Sequence, residues 1–443
     1  MPAPTDLSQL ARSGDLRRLQ DALGDLDVPA VVDELGRADP ATRALVFRAL
    51  PKDRSLAVFE DLEPALQGEL LRGLRAEATS DLITGLDPDD RAELLDELPA
   101  SVAARLLSGL SAREREMTTA LLGYPPDSAG RRMTPEVVDL PVDVSVGRAL
   151  ELVRAGEPDA ETIYTLPVTG PGRCVLGVVS LRRLLVSDDD APLQDVMNEA
   201  VVVRTSDDQE VAARVVREHG LVAVPVVDAE NRLVGLFTVD DAMRVLEREE
   251  TEDIARAGGA EPLDRPYLAS SLFAVVRSRV VWLLVLIIGA TLTVNVLDYF
   301  EDVLAEVVAL ALFVPLLIGT GGNTGAQAVT TVIRAMAVGD VRFRDLPRVV
   351  GRELVTGAML GALLAAVGFG PAAWLVGAEI ATVLCLALVV VCALATTAGA
   401  LTPLLARRIG VDPAVVSAPF ITTFVDATGL VVYFLIARAV LGL

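Results

Sequence analysis

The sequence predicts a multidomain membrane protein: an all-α, short-helix superhelical N domain, an internally repeated α/β module, an acidic connecting helix, and a transmembrane domain of five helices. Three observations carry this reading. Residues 280–297, 307–333, 354–378 and 380–406 contain no charged residue, and 413–437 contain one, Asp426. A second stretch, 133–250, repeats itself at an offset of 58 residues. In the first stretch, Leu50, Leu62, Leu74, Leu86, Leu98 and Leu110 recur every 12 residues.

The apolar runs come first because they constrain most. A hydrocarbon core needs about 20 consecutive apolar residues of helix, so the natural count is five spans. Their orientation follows from the connections. Arg277 and Arg279 precede the first span; Arg334, Arg342, Arg344, Arg348 and Arg352 follow the second; Arg407 and Arg408 follow the fourth. The other connections carry Asp298, Glu301, Asp302 and Glu379. The basic side is cytoplasmic, which puts the N-terminus inside and the C-terminus outside in a multi-pass plasma-membrane protein. The first ten residues lack the basic region and apolar core of a secretory leader, consistent with a cytosolic N-terminal part.

The charge is one-sided. Residues 1–270 hold 51 of the 61 acids and 29 of the 39 bases, so the whole net charge of −22 lies there. Nucleic acid is disfavoured as a partner, since phosphate binding needs clustered Lys and Arg, and none is expected. Cations, or simple solubility, are favoured. With three cysteines, no CxxC and only His219, a zinc or thiolate site is also excluded. Any metal handled here is a hard one with oxygen ligands.

Two features of the spans carry chemistry. Asp426 lies mid-span with Pro419, Thr422, Thr423 and Gly429 within about two turns. A carboxylate there costs several kcal/mol unless it meets water, a cation or a partner. The competing role is a protonated Asp in an interhelical hydrogen bond. The second feature is Pro315-Leu-Leu-Ile-Gly-Thr-Gly-Gly-Asn-Thr-Gly-Ala-Gln327. Its four glycines allow close helix contact or locally open backbone, while Asn323, Thr324 and Gln327 add neutral oxygens. Together these favour a polar path with Asp426, Thr422, Thr423 and Asn323 as pore candidates. An enzyme is not indicated: there is no nucleophile–base pair and no phosphate-binding loop. Mg²⁺ is octahedral and slow to dehydrate, so one carboxylate cannot strip it. Two chains would let paired Asp426 side chains flank a hydrated ion.

In the repeated module, Leu166-Pro-Val faces Val224-Pro-Val, and Pro167/Pro225, Gly177/Gly235 and Ser180/Thr238 are each 58 apart. Each copy reads strand, helix, strand, turn, strand, helix, with turns at 171–172 and 229–231. The pattern resembles a tandem CBS pair over 131–240 (first copy 131–190, second 191–245). That resemblance implies dimerisation or adenine nucleotide binding. Asp240 and Asp241 follow Thr238, but Arg182 and Arg183 follow Ser180, so ATP stays an open possibility with Arg182, Asp240 and Leu221 as candidate contacts.

The N domain, 1–130, reads as short helices stacked into a solenoid. Asp87-Pro-Asp-Asp has a cap, a first-turn proline and acids suited to the helix dipole. The leucines are core, and Asp87, Asp89, Asp90, Asp96 and Glu97 are expected on the outer face. Residues 241–264 form the acidic connecting, or plug, helix ahead of the transmembrane domain, 265–443.

This order of parts resembles the MgtE family of magnesium channels. The motifs that carry the resemblance include Gly322-Asn-Thr-Gly-Ala-Gln327, Val425-Asp-Ala-Thr-Gly429 and the junction Gly123-Tyr-Pro-Pro-Asp-Ser-Ala-Gly130. The resemblance implies a homodimer in the lipid bilayer that carries Mg²⁺, with Asp426 as the selectivity carboxylate. It also implies gating by cytosolic Mg²⁺ at positions matching Asp87, Asp90, Glu210, Asp241, Glu249, Glu252 and Asp253. Gly220 and Arg244 depart from that pattern, which implies a gate shifted to higher Mg²⁺. A coupled carrier of divalent cations, or a nucleotide-sensing regulator anchored by its membrane part, are the alternatives.

Overall fold

The computed structural model describes residues 7–13, 15–156 and 160–443. Residues 1–6 of the expected N domain lie outside the described residues. The chain divides into two compact units, one of Met1–Glu249 with Asp264–Ser270, the other of Glu250–Leu263 with Ser271–Leu443.

The first unit opens with short helices: Leu7–Ser13 (α1), Leu16–Gly24 (α2), Val28–Arg37 (α3), Pro40–Ala49 (α4), Lys52–Glu60 (α5), Pro64–Gly73 (α6), Ala76–Gly85 (α7), Pro88–Glu97 (α8), Ala100–Gly109 (α9) and Ala112–Leu122 (α10). The 12-residue leucine spacing marks their ends. Leu50, Leu74, Leu86, Leu98 and Leu110 are C-cap residues in extended conformation, so each stops one helix and turns a side chain inward. Asp15, Asp27 and Asp39 cap the starts of α2, α3 and α4 by accepting from Arg18 N, Ala30 N and Thr42 N.

A 24-residue period lies beneath the leucines. Arg43 Nε, Gln67 Nε2 and Arg91 Nε each donate to a carbonyl eight residues back, on Leu35, Phe59 and Ile83, at 2.8, 2.6 and 2.8 Å. These are the orphan carbonyls at a helix C-terminus. Each buried polar side chain satisfies them and stitches one helix pair together.

The repeat is confirmed strand by strand. Leu140–Pro141 (β1), Thr165–Thr169 (β2) and Val175–Ser180 (β3) make one three-stranded sheet. Val203–Arg204 (β4), Ala223–Val227 (β5) and Leu233–Thr238 (β6) make the other. In both, the first pair is parallel and the second antiparallel, with Pro167 opposite Val178 and Pro225 opposite Leu236. The helices are Val146–Gly156 (α11), Leu181–Leu185 (α12), Leu193–Val196 (α13) and Gln209–His219 (α14). The copies exchange their opening segments. Thr134 bridges Leu236 of the second sheet, and Asn198 bridges Val178 of the first. That exchange explains the paired glycines: a Cβ on Gly177 would lie 2.6 Å from Asn198 O, and one on Gly235 2.6 Å from Thr134 O. The last helix of the second copy does not stop at the expected module boundary; Val239–Ala257 (α15) is one continuous helix.

The second unit holds five helices long and apolar enough to cross a membrane among the described residues: Leu272–Tyr299, Val308–Ala337, Phe343–Val376, Ala378–Arg408 and Ala418–Leu441. Their α-helical parts are α16 (Leu272–Tyr299), then, after the short α17 (Glu301–Glu306), α18 (Val314–Ala337), α19 (Leu346–Val376), α20 (Ala378–Arg408) and α21 (Ala418–Leu441). The glycine-rich stretch is unbroken helix within α18. Three of its glycines, Gly321, Gly322 and Gly325, therefore serve close contact rather than open backbone, while a Cβ on Gly319 would meet open space. A Cβ on Gly322 would lie 2.6 Å from Thr422 Cγ2, one on Gly325 2.8 Å from Ile421 Cγ2, and one on Gly321 2.7 Å from Val391 Cγ1. Small residues let these backbones approach where lipid supplies no hydrophobic drive.

Candidate metal centres

The membrane candidate is built on α21. Ser417 caps its start and Pro419 sits in its first turn. Asp426 is half-buried, and its Oδ1 is buried without a hydrogen-bond partner. An ionised carboxylate oxygen left so in an apolar bundle is costly. One turn earlier the chemistry is complementary. Thr422 Oγ1 donates to Ala418 O at 2.9 Å and Thr423 Oγ1 to Pro419 O at 3.0 Å. With their hydrogens committed to the backbone, both hydroxyls present lone pairs outward. Asn323 and Gln327, one turn apart on α18, are exposed. Gly322, beside Asn323, is the residue packed on Thr422.

The second candidate is a knot of carboxylates in the first unit. Carboxylate oxygens of Asp89, Asp90 and Asp241 lie within 4.8 Å of one another, as do those of Glu161, Asp240 and Asp241. The expectation that Asp89 lies on the outer face is wrong: it is 7% exposed. The first turn of α8 faces inward because Ala92, one turn on, packs in the core of the second repeat copy. Asp87 stands at the N-cap of α8 but makes no side-chain cap bond, and it too is half-buried. Asp96 and Glu97 are exposed, as expected.

Burial and crowding hold protons on this knot. Burial, reinforced by Asp241, pushes Asp89 well above the usual carboxylate range and raises Asp87. Burial raises Asp90 to about 7 against the pull of Arg244. Burial raises Glu161 to about 8, with a Thr134 hydrogen bond opposing. Oδ1 of Asp89 and Oε2 of Glu161 are buried without partners.

Arg244 enters where the sequence pattern looked out of place. Its Nη2 lies 2.5 Å from Asp241 Oδ1 and 3.6 Å from Asp90 Oδ1, while Thr238 Oγ1 donates to Asp241 Oδ2 at 2.6 Å. Burial works against the Arg244 charge, but Asp241 and Asp90 outweigh it and raise its pKa. Next to it, burial alone would raise Glu93; ion pairs with Arg132 and Arg248 hold it low instead.

The remaining candidates are dispersed. Glu210 pairs with Arg214, and Glu249 accepts from Gln209 Nε2 at 2.8 Å. Glu252 and Asp253 belong to the membrane unit, where Arg256 joins Glu252 to Asp412, 2.7 Å away. There Gly259, at φ +70°, lies beside Pro419, and Trp282 Nε1 donates to Glu261 Oε1 at 2.9 Å. Arg182 and Asp240 are exposed at equivalent helix starts of the two copies, and Leu221 packs against the second copy's core. Sequence reasoning missed Glu161 as a site residue and misplaced Asp89. No local signal marks either, since their burial comes from segments distant in the chain.

Comparison with known proteins follows the same divisions. The divalent cation transporter family MgtE matches residues 314–436, the MgtE intracellular N domain matches 26–127, and the CBS domain matches 193–248. The magnesium transporter MgtE of Thermus thermophilus is 40% identical over 442 residues, covering 98% of each chain. That of Enterococcus faecalis is 34% identical over 326 residues, 72% of this chain and 70% of its own. A crystal structure of the cytosolic domain of the Mg²⁺ channel MgtE in complex with ATP superposes with a TM-score of 0.51 at 34% identity, over 54% of this chain and 98% of that one.

Proposed function

The chain belongs to the MgtE family of divalent cation transporters, and from that premise we propose a magnesium channel whose ion path runs past Asp426 and whose cytosolic carboxylates form its gate. The observation that carries the pore is the buried Oδ1 of Asp426, which has no hydrogen-bond partner and is the sole charge between residues 413 and 437. A cation there removes the desolvation cost and gains a ligand in one step. Mg²⁺ keeps most of its waters, so Thr422, Thr423 and Asn323 act as acceptors for those waters rather than as inner ligands. One carboxylate per chain is too few for such an ion. The working unit is therefore a homodimer with an Asp426 from each chain, N-termini in the cytosol and C-termini outside.

The gate is a population shift. Residues 1–130 and 131–240 carry the acids, and 241–264 link them to the spans. Ions that hold Asp87, Asp89, Asp90 and Asp241 together favour the compact arrangement over a splayed one. Glu161 adds a ligand from the first copy, and Glu210, Glu249, Glu252 and Asp253 are further candidates along the link. Arg244 alters the balance. It already neutralises Asp241, so an entering ion must displace a tethered guanidinium, and closure needs more Mg²⁺ than an all-carboxylate cluster would. ATP, held by the related cytosolic domain, would bind beside the equivalent helix starts that carry Arg182 and Asp240.

The test is Mg²⁺ flux into liposomes for the wild type and Asp426→Asn. Loss of a mid-membrane charge worth several kcal/mol cuts flux by at least about a hundredfold. Undiminished flux in Asp426→Asn overturns the pore assignment. Flux that requires a counter-ion gradient would instead identify a coupled carrier.

A further inference from the structure

The chain leaves the first unit after Glu249 and is part of it again over Asp264–Ser270, just ahead of α16. Those seven residues are fastened to the N domain. Arg265 Nη1 donates to Glu69 Oε2 at 2.8 Å, and the same oxygen lies 3.2 Å from Nη1 of Arg43, which is 1% exposed. Pro266 covers Gly36, whose added Cβ would sit 3.7 Å from Pro266 Cγ, and Ala269 packs against the helical core. A turn closes the segment, with Ala269 N and Ser270 N donating to Pro266 O at 2.9 and 3.0 Å.

Every charge in this contact is covalently attached to the chain. Two guanidiniums converge on one carboxylate, so no divalent ion is needed to hold it, and none is favoured beside two fixed positive charges. We propose that Asp264–Ser270 is a strap through which the N domain grips the lead-in to the first spanning helix independently of divalent ions. The ion-sensitive knot at Asp241 and this strap then act on opposite ends of the same connecting stretch. When ions leave, the knot loosens while the strap holds, so displacement of the N domain is conveyed to α16 instead of being lost in a slack linker.

Its role in coupling rests on the gating reading, so two readouts are needed on the full-length protein in liposomes. Arg265→Gln is the informative variant because it leaves the Arg43–Glu69 pair inside the N domain intact. In the wild type, hydrogen exchange at Ala269 and Ser270 is expected to be equally slow in EDTA and in millimolar Mg²⁺. In Arg265→Gln it should be about fivefold faster in both, as expected for a partly exposed ion pair. The Mg²⁺ concentration that half-suppresses flux should rise severalfold, while flux at low Mg²⁺ stays unchanged. Wild-type exchange that accelerates in EDTA, or exchange unaltered by Arg265→Gln, overturns the strap. Faster exchange with unshifted suppression overturns its coupling role. A wild type that Mg²⁺ never suppresses defeats the gating reading instead, and exchange alone then decides the strap.

Discussion

Replacing Arg244 with Gln probes the gate most directly. The guanidinium sits 2.5 Å from Asp241 Oδ1, with Arg244 41% and Asp241 8% exposed at the side chain. A hydrogen bond to a charged group contributes about 1.5–3 kcal/mol, and removing one member of a fully buried pair costs about 3–5 kcal/mol. The exposed half of Arg244 places the loss near the lower range, about 2 kcal/mol. That is roughly a 30-fold drop in the ratio of compact to splayed cytosolic unit in the absence of ions. Gln keeps much of the volume, so packing changes little while Asp89, Asp90 and Asp241 lose their resident cation. Limited proteolysis of the full-length protein in EDTA reads this ratio. The variant should be cleaved about 30 times faster than wild type where opening is in rapid equilibrium. Millimolar Mg²⁺ should return it to wild-type resistance, because an ion now enters without displacing an arginine. Equal cleavage of the two proteins in EDTA would refute the argument, as would cleavage of the variant that Mg²⁺ cannot slow.

Three further outcomes follow from the same geometry. In EDTA, the cytosolic unit should lose stability as pH rises: Asp90 and Glu161 carry folded values of about 7 and about 8, above their ordinary ones. Their stabilising protons are fully present below the unfolded values and are lost as pH rises toward the folded ones, so exchange protection around 87–93 should fall from about pH 4 to about pH 8 and level off above it. Protection that rises instead would reverse the sign and sink the assignment. Gly235→Ala places a Cβ 2.6 Å from Thr134 O, a backbone atom that cannot swing aside, and should cost about 1–3 kcal/mol, visible as a lower melting temperature. An unchanged transition would show that the exchanged segment is loose. Gly322→Leu drives a side chain into Thr422, whose Cγ2 lies 2.6 Å from the new Cβ position. Detergent-solubilised protein should melt lower by the same about 1–3 kcal/mol and conduct less Mg²⁺, and wild-type values for both would remove the α18–α21 contact from the pore account.

The sequence exposed features that obey local rules and concealed those that depend on distant packing. The spans were legible because lipid forbids charge over about 20 residues. The leucine period was legible, but its meaning as a C-cap in extended conformation is a backbone fact. The deeper period of Arg43, Gln67 and Arg91 was concealed because its members differ in chemistry while sharing one task. The glycines at 177 and 235 stood out as a repeat, yet their cause is the segment exchange between copies, which no period reports. Asp89 reads as a solvent-facing first-turn acid by every local rule, and only the packing of Ala92 against the second copy turns it inward.

Arginines explain which acids are left for ions. Inside the first unit, Arg131 meets Asp96, Arg132 and Arg248 share Glu93, Arg244 takes Asp241, and Arg43 with Arg265 takes Glu69. These pairs neutralise acids at internal seams of a unit whose sequence is strongly acidic. Among the described residues, the buried carboxylate oxygens left without a hydrogen bond belong to Asp89, Glu161 and Asp426. Two of these lie in the cytosolic knot and the third in the last spanning helix. A buried acceptor without a donor costs about 1–3 kcal/mol, and more when charged, which in a stable fold is tolerated where a cation or proton completes it. Burial favours protons on the knot, so in the proposed gate Mg²⁺ should compete with them there. Asp426, on a helix whose sole other charge is Arg438 near its far end, would in the proposed pore take the passing ion as its counter-charge.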